Sequence, residues 1–266
     1  MLLLCVCHLH LYFFMKKFLT LALATAASVS VAQAQDAGGF RLGVKVGGTF
    51  SNVSGDDVNL LTGPGYSSDL KDYKLGYNAG LSFSIPLSSD GFFSFAPELL
   101  YNRKGYEIES ESKSGTTFPN APAGTVKAEI EQQRVLHYID VPLLAKINAG
   151  GLFFELGPQV SYLFGSKLKQ QTTYKDAAGN KTKETSNSDF QLYAGSGIKD
   201  SEKSDLSNVD ISGVAGVGYM TDGGISLGLR YARGFNSILD SKNTDNEPKA
   251  FNNAFTLQLG YLIPTK

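Results

Sequence analysis

Residues 137–165, HYIDVPLLAKINAGGLFFELGPQVSYLFG, hold two apolar runs of period two that meet at a glycine-rich turn. Successive strand side chains point to opposite sides, so Ile139, Val141, Leu143, Ala145 and Ile147 share one face and Tyr138, Asp140, Leu144 and Lys146 the other. Beyond the turn at residues 148–151, Phe154, Leu156, Pro158, Val160, Tyr162 and Phe164 alternate with Phe153, Glu155, Gly157, Gln159 and Ser161. The segment reads as an antiparallel hairpin with one apolar and one charged face. In a water-soluble sheet the apolar face would pack on a core; in a membrane barrel it would face lipid, with the charged face lining the interior.

Upstream, residues 41–54 alternate Leu42, Val44, Val46 and Phe50 with Arg41, Lys45, Thr49 and Ser51, which makes a first strand. Residues 55–73 are rich in Gly, Asp, Ser and Asn without a sustained period and read as a long loop. A second strand over 74–87 sets Tyr77, Ala79, Leu81, Phe83 and Ile85 against Asn78, Gly80, Ser82 and Ser84. After a short turn at 88–91, a third over 92–107 sets Phe93, Phe95, Pro97, Leu99 and Tyr101 against Ser94, Ala96, Glu98, Asn102 and Lys104. The polar stretch 108–133 continues as extended, solvated arms.

Downstream of the hairpin, residues 166–207 form the longest polar segment, with Ala177-Ala178-Gly179-Asn180 as a hairpin tip inside it. The sixth strand, 209–220, places Val209, Ile211, Ala215, Val217 and Tyr219 opposite Asp210, Ser212, Gly216 and Gly218. Thr221-Asp222-Gly223-Gly224 is a tight turn. The seventh strand sets Ile225, Leu227, Leu229, Tyr231 and Phe235 against Ser226, Gly228, Arg230, Ala232 and Gly234. A polar loop over 237–250 precedes an eighth, with Phe255, Leu257, Leu259, Tyr261 and Ile263 opposite Thr256, Gln258 and Gly260.

The connections therefore run long, short, long, short, long, short, long. Such strict alternation is the mark of a meander that crosses a membrane, with tight periplasmic turns and long external loops. Each strand has at least the roughly 9 to 11 residues that a tilted strand needs to span a bilayer. The expected fold is all-β: an eight-stranded antiparallel up-and-down transmembrane β-barrel with short periplasmic turns, long extracellular loops and both termini in the periplasm.

The N-terminal 34 residues fall outside that pattern. Met15-Lys16-Lys17 opens a basic start, an apolar segment covers 18–31, and Ala32-Gln33-Ala34 is a small-x-small cleavage pattern. Residues 1–34 are thus read as an upstream extension plus a signal peptide starting at Met15, and the barrel domain as 35–266, beginning at Gln35. Met1 and Met15 both remain candidate starts. Cys5 and Cys7 lie in the extension, so residues 35–266 need no disulfide and offer no thiolate metal site. That portion holds 22 basic and 25 acidic residues, a net charge of −3 with His neutral, which is no footprint for nucleic acid. After Ala34 no run of 18 apolar residues occurs, so any crossing is made by strands.

Four segments carry a family likeness: Tyr138-Ile139-Asp140-Val141-Pro142-Leu143-Leu144, Gly157-Pro158-Gln159, Gly213-Val214-Ala215-Gly216-Val217-Gly218-Tyr219, and Leu229-Arg230-Tyr231 with Gly234. In these the chain resembles the outer-membrane β-barrel domain family of Gram-negative bacteria, often labelled porin-family or PorT-like. The resemblance implies an eight-stranded barrel in the cell outer membrane and says little about activity. The end, Ile263-Pro264-Thr265-Lys266, departs from the terminal aromatic that many such barrels present to the assembly machinery.

At eight strands an interior is just wide enough to be filled by side chains. The inward positions carry Arg41, Lys45, Lys104, Arg134, Lys146 and Arg230 against Glu98, Asp140, Glu155 and Asp210. Unpaired buried charge costs several kcal/mol, so these groups are expected to pair as a structural interior network. His137 is the sole histidine after residue 34 and falls on the apolar-face register, an interfacial position rather than a catalytic one. No Ser/His/Asp spacing, HExxH or P-loop is present, and GVAGVGY is followed by no helix, so no enzyme activity, cofactor or metal is expected. Asp56, Asp57, Asp69 and Asp72, and the DSKNTDNE run from Asp240, read as solvated loop acids rather than a divalent-cation site.

Three functional readings follow. The leading one is a monomeric outer-membrane barrel with a filled interior, acting structurally or through its external loops in adhesion or docking to an extracellular ligand. Its other partners are outer-membrane lipid and the barrel assembly machinery. The second is a narrow porin-like channel or transporter for small solutes, and the third a soluble lipocalin-like binder, which would need the apolar faces turned inward.

Overall fold

The computed structural model describes residues 39–55, 65–71, 73–118, 121–187, 191–192, 206–239 and 249–264. The proposed signal segment, Asp56, Asp57, Asp72 and Asp240 through Glu247 lie outside the described residues.

Among the described residues eleven strands occur in chain order: β1 (Arg41–Ser54), β2 (Tyr66–Leu70), β3 (Lys74–Pro86), β4 (Phe93–Ser112), β5 (Thr125–Ala149), β6 (Leu152–Asp176), β7 (Lys181–Asn187), β8 (Gln191–Leu192), β9 (Val209–Met220), β10 (Ile225–Gly234) and β11 (Phe251–Leu262). Eight of them close a ring in the order β4, β3, β1, β11, β10, β9, β6, β5 and back to β4. Every pairing in the ring is antiparallel. Closure satisfies the backbone groups that lipid cannot, which is the condition for a sheet to cross a bilayer.

The tight connections fall where the alternation placed them. Asp90 accepts from the Phe92 amide at 3.0 Å and Ser88 from the Phe93 amide at 2.9 Å, which closes the β3–β4 turn. Between β5 and β6 the chain reverses through Gly150 (φ 61°) and Gly151 (φ 90°), left-handed values at which a side chain would be strained.

Three strands stand outside the ring. The stretch read as a loop at 55–73 contains β2, which pairs with the outer part of β4, Asp69 opposite Glu109. Strand β7 pairs with the outer part of β6 across the tip at 177–180, and β8 pairs beside it. The arms read at 108–133 are regular ladder, with Glu111 opposite Glu129 on β4 and β5. Together β2, β4, β5, β6 and β7 form a wall that, among the described residues, rises beyond the ring on one side only.

The sidedness is inverted relative to a soluble domain. Leu156, Leu227 and Leu257 are 66%, 54% and 50% exposed, and Val160, Val217, Leu229 and Leu259 also face outward. Glu98, Asp140, Glu155, Asp210 and Arg230 are buried. The hairpin of residues 137–165 splits as its alternation dictates, with Leu143 and Ile147 exposed and Tyr138, Asp140 and Leu144 buried. Apolar side chains outside and charges within exclude the lipocalin-like arrangement.

One bulge interrupts the hairpin. Tyr138 faces Leu163 and His137 faces Gly165, so Phe164 is an extra residue on β6. Beyond it the phase of β6 is reversed, and Lys167 and Lys169 lie on the outside of the wall while Ser166 is buried.

The outer mouth is closed by a cluster that alternation alone does not reveal. Val53, Tyr106, Ile108, Leu136, Tyr138 and Leu163 converge from the strands, and Leu206, Ile238, Leu239 and Ala250 fold over them from the connections. At roughly 25 cal/mol per Å² of buried apolar surface, a cap of this composition anchors the loops to the barrel.

Candidate functional site

The interior is layered from the periplasmic end outward. In the first layer Arg230 on β10 donates Nη1 to Glu98 Oε2 at 2.6 Å and Nη2 to Glu98 Oε1 at 2.7 Å, a two-pronged pair. Its Nε donates to Glu155 on β6, and Lys45 on β1 donates to Glu98 at 2.6 Å. The guanidinium thereby ties three strands, and Glu98 brings in β1 as a fourth through Lys45. Gly216 makes room for this pair, since a Cβ there would come within 2.7 Å of Glu155 Oε1 and 2.9 Å of Arg230 Cγ.

A hydrogen-bonded layer lies above. Asp140 receives Lys104 Nζ, 3.0 Å from Oδ2, and Asn102 Nδ2 at 2.8 Å. Thr49 donates to Asn102 at 2.9 Å, Asn78 to Thr49 at 3.0 Å, and Gln258 to Asn78 at 2.8 Å, a chain running from β11 to β5. Lys104 Nζ also sits 4.8 Å from the Tyr138 ring centre. Asp210 accepts from Asn252 at 2.7 Å, and Asn252 also donates to the Tyr138 hydroxyl at 3.2 Å.

The ten charged residues expected inside separate into groups. Lys45, Glu98, Glu155 and Arg230 form one cluster, Lys104 and Asp140 a second, and Asp210 is held by an amide. Lys146 makes no carboxylate bridge among the described residues; its Nζ lies 3.7 Å from the Phe153 ring centre. Arg41 sits at the periplasmic mouth and donates to the Leu262 and Ile263 carbonyls at 3.3 and 3.4 Å. Arg134 stands at the level of the cap, opposite Tyr106, and its Nε has no hydrogen-bond partner among the described residues. Asp140 therefore meets Lys104 rather than Lys146 or Arg230. The neutral links Thr49, Asn78, Asn102 and Gln258 occupy polar-face positions in the sequence, but alternation gives their side and not their partners.

Cavities of about 20 Å³ lie among the described interior residues between Lys45, Glu98, Lys146 and Glu155 and between Lys104, Asp140, Arg230 and Gln258. Each has room for about one water molecule.

On the outer wall the acids pair across strands. Lys71 lies 3.6 Å from Glu107 and also bridges Glu109, Lys127 reaches Glu111 at 2.5 Å, and Lys175 reaches Glu129. The hydrogen bond to Glu109 raises the Lys71 pKa above its ordinary value. Such exposed pairs contribute about 0–1 kcal/mol each and chiefly fix the register of the arms. Just below, Tyr101 and Phe164 flank His137, whose Nδ1 is 2.7 Å from the Tyr101 hydroxyl, in the aromatic girdle that marks an interface.

Over residues 31–240 the sequence matches the family described as outer membrane protein beta-barrel domain. The chain belongs to that family. As an outer membrane barrel it has its place in the cell outer membrane, with lipid against its apolar belt. No curated protein matches the sequence. Among solved structures, Neisserial surface protein A is 11% identical with a TM-score of 0.40, over 84% of this chain and 98% of that one. The attachment invasion locus protein Ail of Yersinia pestis, solved with the heparin analogue sucrose octasulfate, is 12% identical with a TM-score of 0.37, over 84% of this chain and 99% of that one. OprG from Pseudomonas aeruginosa is 13% identical with a TM-score of 0.28, over 85% of this chain and 95% of that one.

Proposed function

We propose that this outer membrane barrel is a sealed support that acts through its external wall and loops, in docking or adhesion, and not as a conduit or an enzyme. The carrying observation is the Arg230 bridge across the lumen beneath an apolar cap that spans the outer mouth. A solute would have to break a buried bridge and then part an apolar layer. Breaking a buried ion pair costs about 3–5 kcal/mol, and the voids beside it accept single waters only. The wall, by contrast, presents a large solvated surface, including a cleft of about 700 Å³ lined by Asp69, Glu109, Glu111, Glu129 and Glu131.

The test is single-channel recording in planar bilayers. The wild-type barrel is expected to insert without conducting. Steady conductance would reject the sealed reading and put a narrow channel for small solutes in its place.

A further inference from the structure

We propose that the outside of the β4–β5–β6 wall, one step above the aromatic girdle, is a binding site for the phosphorylated headgroup of an outer-leaflet lipid. The inference rests on the long connections facing outward and adds a ligand on the membrane side of the wall.

Three cations flank β5 at its successive outward positions, one from β4 and two from β6. Arg103 is in register with His137, Lys167 with Val135, and Lys169 with Gln133. Lys74 joins them from β3, donating to Gln133 at 3.3 Å and feeling the charges of both Arg103 and Lys169. The carboxylate at this level is Glu107, 3.9 Å from Lys74 and 3.6 Å from Lys71. Arg103, Lys167 and Lys169 have no carboxylate partner among the described residues. Arg103 instead donates to the Leu75 carbonyl at 3.4 Å and lies 5.9 Å from the Tyr77 ring centre. Glu107 serves Lys74 and Lys71, and Glu131 lies the next outward step along β5, but neither bridges Arg103, Lys167 or Lys169, so these three like charges lack a bridging partner that a phosphate supplies well.

The β6 bulge is the second, independent observation. Strict alternation from Phe154 through Phe164 would turn Lys167 and Lys169 toward the interior. The extra residue Phe164 reverses the phase and aims both outward beside Arg103. Bulges commonly re-aim side chains at functional positions, and this one sits level with the girdle. The depth is that of lipid headgroups, because Tyr101, His137 and Phe164 fix the interface immediately below. Across the barrel no such cluster occurs among the described residues: Arg233 on β10 is engaged by Ser54 and Asn253.

The test uses the barrel domain refolded in phosphatidylcholine bilayers, with native mass spectrometry counting retained lipid A in its bisphosphorylated or dephosphorylated form. Wild type is expected to retain the bisphosphorylated form preferentially. A basic residue near an anionic surface contributes roughly fivefold in affinity, so Lys167→Gln/Lys169→Gln should lower retention roughly thirtyfold. Lys181→Gln/Lys183→Gln on the exposed β7 edge carries the same charge change and should lower it little. Equal retention of both lipid forms by wild type would overturn the proposal without recourse to any variant. So would equal loss from both variant pairs, which reduces the effect to net charge.

Discussion

Arg230 and Glu98 stand on strands four places apart in an eight-membered ring, yet the guanidinium meets both carboxylate oxygens at 2.6 and 2.7 Å. A bond across the full width of the barrel couples strands that share no backbone hydrogen bonds. Its removal should therefore loosen the whole cylinder. In Arg230→Met the carboxylates of Glu98 and Glu155 lose their shared cation, and a loss of roughly 3–5 kcal/mol is expected. The shift from folded to unfolded mobility on a heated gel measures it; an unchanged transition would show the bridge to be energetically idle.

Not every interior charge should matter equally. Asp140→Ala strands Lys104 at 4% exposure and should cost a similar roughly 3–5 kcal/mol. Lys146 has only the Phe153 ring, so Lys146→Met gives up about 0.5–2 kcal/mol of cation–π attraction and no ion pair. The same gel assay ranks the two, and the reverse order would contradict the pairing described.

Facing can be checked at adjacent positions. Leu227 points to lipid and Ser226 into the lumen beside Lys45. Leu227→Arg near the midplane should weaken insertion by about 2–4 kcal/mol, and Leu257→Arg likewise. Ser226→Arg should be tolerated better in a refolding titration into vesicles. Equal damage at 226 and 227 would contradict the alternation.

At the β3–β4 turn, hydrogen bonds from the Ser88 hydroxyl and then the Phe92 amide hold the Asp90 carboxyl below its ordinary pKa. A pKa lower in the folded than in the unfolded state stabilises the turn fully above the ordinary aspartate range. The gain is lost as pH falls through the depressed value. Carbon-detected titration should give Asp90 a midpoint below a free aspartate, rising toward it in Ser88→Ala.

At the N-terminus the Ala32-Gln33-Ala34 pattern predicts that the exported chain will begin at Gln35. N-terminal sequencing of protein from the outer-membrane fraction is the check, and retention of residues 1–14 would overturn the reading.

Much of the ring was legible because a period of two survives in each spanning strand. β1 and β9 occupy residues 41–54 and 209–220, as the alternation gives them. What the period cannot convey is contact across the lumen, because Asp140 could face any cation at its height, and Lys104 on the neighbouring strand is the one within reach. The cap was hidden for a related reason. Leu136 and Leu163 are inward residues among polar neighbours, and their partners Ile238 and Leu239 come from a stretch with no period at all. The bulge at Phe164 reversed the phase where alternation gave no warning, and β2 lay in a segment whose Ser and Asp content reads as loop.

For the docking role proposed above, the one-sided wall sets the reach from the cell. From His137 at the girdle, β5 runs a further twelve residues out to Thr125, and at about 3.3 Å per residue that is roughly 40 Å of strand contour. β6 climbs beside it and turns at Ala177, so the outer end of the exposed β7 edge, Lys181 to Lys183, stands clear of the headgroup layer, while Asn187 at its base pairs with Lys169. An approaching surface meets that edge before it meets the barrel, and it does so off the barrel's axis. A pull on the tip is then carried down paired strands into the Arg230 layer as shear around the cylinder, which is the load a ring of cross-linked strands resists best.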